Sequence, residues 1–226
     1  MKIADDQRRM YGDLYQRYGE DPRALFHNDQ ESQYERFQML TRCFSQETGA
    51  FSVHEIGCAL GHFGAFLREG FPQVDFSGSD IYEPFVHECR KRFPQGDFFL
   101  RDVTQELPKD RYDYVLLCGT FNIPGSIPRD KWQQFVFSML SAMYAMARKG
   151  IGATFLTTYY DPGRNREDLY YQDEKQLMDF AVHNLSRHFE LDSMGPLYEY
   201  ALRVYRPEYV RASYPQQAFA RYFKKQ

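Results

Sequence analysis

The 226-residue chain predicts a doubly wound α/β fold whose seven-stranded sheet is mostly parallel, with an antiparallel edge strand toward the C-terminus. From residue 51 onward, short apolar runs alternate with amphipathic helical stretches. Connections of about ten or more residues between strands are crossovers, which impose parallel pairing. The runs YVLLC and ATFL are apolar on consecutive residues, the pattern of strands covered on both faces.

Residues 1–50 hold no strand candidate and read as a helical cap. A first helix spans Asp5 to Tyr18, with Met10, Leu14 and three tyrosines at helical spacing, and Gly19 to Pro22 ends it. A second runs from near Asp29 to about Ser45, with Tyr34, Phe37, Leu40 and Phe44 on one face. FSVHEIG is then a strand, FGAFLREGF a helix, VDFSGSD a strand and EPFVHECRKRF a helix. DFFLRD, YDYVLLC and GATFLTTYY are further strands, with DKWQQFVFSMLSAMYAMARKG a long helix before the last of these. After a polar loop and a helix near residues 173–186, HFELDSMGPLYEYALRVYR reads as two antiparallel strands around Gly195 and Pro196. The expected organisation is a cap over 1–50, a core over 51–206 and a tail over 207–226, in one structural domain.

Composition narrows the function. Net charge is -3 and pI about 6.1, so the basic surplus that supplies most phosphate-backbone affinity is missing and nucleic acid is not the expected partner. No apolar run approaches the roughly 18 residues of a membrane span, and the polar N-terminal segment does not read as a signal peptide. The four cysteines form no CxxC pair and read as free thiols in a reducing, cytoplasmic setting. Aromatic residues make up 17% of the chain, which suits a core and equally a pocket around an organic ligand.

The segment Glu55-Ile56-Gly57-Cys58-Ala59-Leu60-Gly61 closes the first strand and opens a helix. Glycines there let a ligand approach the backbone, and the helix start turns free N–H groups toward it. Ala59 stands where a dinucleotide fold would have its middle glycine. Asp80 ends the second strand 19 residues after Gly61, where an acidic side chain accepts from ribose hydroxyls. Asp102 and Val103 end the third strand, and Cys118 to Asn122 the fourth. Either aspartate could instead cap a turn.

With these motifs the chain resembles the class I S-adenosylmethionine-dependent methyltransferases, of small-molecule type. VHEIGCALG, FSGSDIYEP, LRDVTQELP and YDYVLLCGTFN carry the resemblance, together with the closing FELDSMGPLYEYALRVYR, over residues 30–206. It implies the Rossmann-like methyltransferase fold, with S-adenosyl-L-methionine as cofactor and S-adenosyl-L-homocysteine as product. By that resemblance Glu55, Gly57, Cys58, Ala59 and Gly61 hold the methionine end and ribose, and Asp80 with Ile81 the ribose hydroxyls. Asp102 and Val103 would take the adenine, and Cys118, Gly119 and Phe121 the sulfonium region. Gln33 and Arg36 would reach the cofactor's carboxylate, although a solvated helix face is the other reading of Arg36.

The implied acceptor is a small molecule, of the kind methylated in natural-product biosynthesis. A protein or RNA methyltransferase, a non-catalytic cofactor-binding subunit and a nicotinamide oxidoreductase are the alternatives. Candidate bases are His27, His62, Tyr159 and Tyr160. Asn122-Ile123-Pro124 partly matches the NPPY signature of amine-methylating enzymes but lacks its second proline and aromatic residue. No cluster has metal-ligand spacing. The acceptor atom and the oligomeric state stay open.

Overall fold

Strands form where short apolar runs fit a sheet, with both faces buried at its centre and less so at its edges. In a computed structural model describing residues 3–25 and 29–223, these are β1 (Phe51–Ile56), β2 (Val74–Asp80), β3 (Phe98–Leu100) and β4 (Tyr112–Leu117). β5 (Ala147–Leu156), β6 (Phe189–Asp192) and β7 (Glu199–Tyr205) complete one sheet in the order β3-β2-β1-β4-β5-β7-β6. β1 to β5 pair in parallel, β7 runs antiparallel to β5 with Ile151 opposite Val204, and β6 is antiparallel to β7. The reversed strand at the C-terminal end of the sequence is thus β7, flanked by outermost β6.

The helices are α1 (Ile3–Tyr18), α2 (Gln30–Thr41), α3 (His62–Gly70), α4 (Glu83–Arg92), α5 (Arg129–Met146), α6 (Glu174–Asn184) and α7 (Pro207–Ala212). Along β4, Val115 and Leu117 join the core built with α5 and α6, while Tyr114 and Leu116 join the one built with α2 and α3. That alternation explains why YVLLC is apolar throughout. His54, fully buried, spans Ser77 at 2.8 Å and Ser79 at 3.0 Å and ties β1 to β2. Burial pushes its pKa down to about 3, so it stays neutral.

One boundary departs from the sequence pattern. Ala147 to Gly150, expected to continue a helix, open β5 instead. Arg206 binds the carbonyls of Ala147 and Lys149, and Gly150 pairs with Tyr205, so β7 recruits these residues into the sheet against their helical propensity.

Strand order reverses between β1 and β4, and the crevice at such a switch point lies outside the carboxyl ends of the strands. α1 lies across it. Arg8 Nε donates to the carbonyl of Ile81 after β2 (2.9 Å). Asp6, 3% exposed, accepts from Ser126 N and Oγ after β4 at 3.2 and 3.0 Å. Tyr15 packs edge-on against Phe85 of α4. α2 instead lies on the sheet, where Phe37 and Leu40 join the core and the carbonyl of Met39 accepts from Arg203.

Candidate functional site

The loop from β1 to α3 is built on positive backbone angles: φ is 72° at Gly57, 45° at Ala59 and 74° at Gly61. A Cβ at Gly57 would stand 2.6 Å from Thr120 Oγ1, and one at Gly61 2.8 Å from the Phe93 ring, so only glycine fits either position. Ala59 is the one non-glycine residue with positive φ among the described residues. That conformation costs roughly 1–2 kcal/mol for an L-residue, and the Ala59 N–H donates to Asp80 Oδ2 at 3.0 Å.

Asp80 binds the loop to β2. Its second oxygen accepts from Tyr82 N at 2.9 Å. Burial nevertheless outweighs these donors and pushes its pKa up to about 6. Glu55, 4% exposed, points one carboxyl oxygen, Oε2, at no partner among the described residues. Its burial, with Cys89 and Asp80 nearby, raises its pKa well above that of an ordinary glutamate. A buried carboxyl oxygen without a donor is a destabilising vacancy in the hydrogen-bond network. Both acids line one cleft of about 1070 Å³.

The neighbouring strand ends add Asp102, Val103, Cys118 and Gly119 to its wall. Asp102 Oδ1 is engaged by Thr104 N at 3.0 Å and Thr104 Oγ1 at 2.6 Å, a turn cap of the kind aspartate makes locally. Gly119, with φ of 71°, donates its N–H to Thr154 Oγ1 at 2.9 Å. On the α2 side, Gln33 Nε2 meets His62 Nδ1 at 3.2 Å. Because an amide N–H₂ only donates, Nδ1 is the accepting nitrogen. Burial, with Arg92 adding to it, lowers the pKa of His62 and favours the neutral ring.

No protein-family model matches the chain. The Mycobacterium tuberculosis protein named "Putative methyltransferase Rv1506c" is 27% identical over 157 residues, 68% of this chain and 92% of that protein. Magnesium protoporphyrin IX methyltransferase of Synechocystis PCC 6803, solved with bound S-adenosylmethionine, superposes with a TM-score of 0.61 at 17% identity, over 91% of this chain and 98% of that one. N-methyltransferase NodS of Bradyrhizobium japonicum WM9, in complex with S-adenosylhomocysteine, gives 0.63 at 13% identity, over 88% and 98%. The chain has the methyltransferase fold.

Within that fold the cleft gathers Gln33, Glu55, Gly57, Cys58, Ala59, Asp80, Ile81, Asp102, Val103, Cys118 and Gly119. Six other residues expected to bind or catalyse lie off the wall, Tyr160 among them with its ring edge-on to Tyr171. Gly61 shapes the loop from behind, against Phe93 and Cys89. Phe121 is fully buried and stacked on Phe155 at 5.1 Å, because the 3₁₀ turn Thr120–Asn122 carries its ring into the core. Arg36 is mostly buried and pairs with Glu199, with Nε reaching Oε1 and Oε2 at 2.9 and 2.8 Å, and its charge also interacts with Cys118 of the cleft wall. Asn122 does not line the cleft, and Tyr159 is 81% exposed at a separate depression beside β5 and β7. His27 lies outside the described residues.

The sequence pattern reads residues 1–50 as a cap without singling out Gln7, Arg8 and Tyr11 of α1, which form one side of the cleft. Gln7 and Tyr11 are four apart and so share a helix face, but the signal reads as an ordinary polar helix. Among the described residues, no group of His, Cys, Asp or Glu could hold a metal ion, and no helix is long and apolar enough to cross a membrane.

Proposed function

We propose that this protein is an S-adenosylmethionine-dependent methyltransferase acting on a small-molecule acceptor. The observation that carries the reading is Glu55 Oε2, buried without a partner beside Asp80 at the switch point of a methyltransferase fold. Two acids facing one cleft call for a ligand rich in N–H and O–H donors. An adenosyl amino acid has them in its ammonium group, ribose hydroxyls and adenine amine, and the residues present therefore fit it.

Bound S-adenosylmethionine would supply a methyl group on a sulfonium, with S-adenosylhomocysteine as the product. On the protein side, Glu55 takes the ammonium and Asp80 the ribose hydroxyls. Gly57, Cys58 and Ala59 bring backbone up to the ligand, and Ile81 borders the ribose. Asp102 and Val103 flank the adenine, Cys118 and Gly119 the sulfur. Gln33 donates toward the carboxylate end. α1 walls one side of the cleft, and holding acceptor and methyl donor in line can supply roughly 7–11 kcal/mol of the barrier. His62 lines the cleft, but with Nδ1 accepting from Gln33 its neutral ring carries the proton on Nε2, so it can donate a hydrogen bond to a ligand and acts as a base only if the Gln33 contact is released. The wall that α1 adds favours a small acceptor over a protein or RNA segment. The free thiols Cys43, Cys58, Cys89 and Cys118 fit work in a reducing compartment such as the cytoplasm.

Calorimetric titration with S-adenosylhomocysteine tests the binding, and methyl transfer from labelled S-adenosylmethionine to a panel of small hydroxyl and amine compounds tests the reaction. Absence of binding to folded protein overturns the proposal.

A further inference from the structure

We propose that Gln7 of α1 is a specificity residue, its side-chain oxygen accepting a hydrogen bond from the exocyclic amine of the ligand's adenine. The inference rests on the methyltransferase reading above and goes beyond it by placing recognition of the base on the cap.

Gln7 is 4% exposed and lines the cleft. Its Nε2 donates to the carbonyl of Ile123 at 3.3 Å. That carbonyl can only accept, so the orientation of the amide is fixed: nitrogen toward the loop after β4, oxygen away from it. Oε1 is buried and has no partner among the described residues. A helix this polar has no packing reason to bury a half-satisfied amide, and a ligand N–H completes it.

The position is rigid. One residue back, Asp6 holds Ser126; one residue on, Arg8 holds Ile81. Gln7 therefore sits midway on a strap fastened to both rims of the cleft. The acid that the sequence motif offers for the same amine, Asp102, already uses Oδ1 for Thr104 N and Oγ1. Asp102 keeps Oδ2 for a ligand, while Gln7 Oε1, like Glu55 Oε2, is a buried acceptor on the cleft wall with no partner among the described residues.

The test compares S-adenosylhomocysteine with its deaminated analogue S-inosylhomocysteine, which presents an oxygen in place of the amine, by isothermal titration. The parent protein should prefer the amine-bearing ligand. In Gln7→Met, which keeps the volume and removes the acceptor, that preference should shrink by about three- to tenfold, the range of one hydrogen bond. Ser126→Ala loosens the strap without touching the acceptor and should weaken both ligands alike, leaving the preference intact. An unchanged preference in Gln7→Met, or equal weakening of both ligands, overturns the inference. Gln7→Asn, which withdraws the same oxygen by one methylene, gives the identical comparison if the methionine variant does not fold. Failure of the parent protein to bind S-adenosylhomocysteine at all would instead count against the methyltransferase reading itself, and the inference with it.

Discussion

Asp80 makes the pH dependence of this protein predictable in sign and size. Its carboxyl is raised from 3.8 to about 6 by burial in the cleft wall. At roughly 1.36 kcal/mol per pH unit, that difference corresponds to about 3 kcal/mol. The folded-state pKa lies above the unfolded one, so between about pH 4 and about pH 6 the native chain binds the extra proton and stability falls as pH rises. The loss is complete above the folded pKa and absent below the unfolded one. Asp80→Asn keeps the shape but cannot ionise. Denaturant unfolding of both proteins across this window should show the parent losing about 3 kcal/mol relative to the variant. The ligand acts in the opposite direction, because ribose hydroxyls stabilise the carboxylate. Affinity for S-adenosylhomocysteine should therefore rise as pH climbs through about 6, with proton release detectable by calorimetry in buffers of different ionisation enthalpy. A parent stability that stays level with the variant's across this window, or that rises relative to it as pH rises, refutes the burial argument.

Three further substitutions separate ligand binding from architecture. Glu55→Gln should leave the free protein within about 1 kcal/mol of the parent in denaturant unfolding, yet weaken S-adenosylhomocysteine at least tenfold, about 1.4 kcal/mol. Gly57→Ala meets both a φ of 72° and Thr120 Oγ1 at 2.6 Å; adding Thr120→Ala should relieve the clash but leave about 1–2 kcal/mol of backbone strain in thermal unfolding. Arg36→Met strands Glu199, 3% exposed, and should cost about 3–5 kcal/mol of stability, most of it recovered in the double variant with Glu199→Leu. Calorimetry on the double variant should find cofactor affinity little changed; a large loss there would restore Arg36 to the binding site.

The fold was legible because its signals are local. Consecutive apolar residues in YVLLC report two covered faces, and the glycines of EIGCALG report a loop that a Cβ cannot enter. Asp80 is marked by its place at a strand end. The residues whose surroundings the local pattern does not announce depend on partners far along the chain. Nothing near Arg36 announces Glu199, 163 positions away. Phe121 follows a strand end as a ligand contact would, but the 3₁₀ turn there rotates its ring onto Phe155. Gln7 sits in a polar helix whose burial is decided by loops at Ile81 and at Ile123 to Ser126.

Ala59 shows why the loop and the strand-end acid form one unit. Its methyl group takes little room, which is all that residue type reveals, yet its backbone holds a left-handed conformation that alanine resists. The N–H that this conformation presents is received by Asp80, the same carboxyl that faces the cleft. A charged acceptor holds such a donor about twice as strongly as a neutral one. Protonating Asp80 therefore slackens the strained loop, and under the proposed methyltransferase reading it also weakens a ribose contact, so the two effects should reinforce each other. Ligand affinity should consequently fall more steeply below about pH 6 than loss of a single ribose contact would produce.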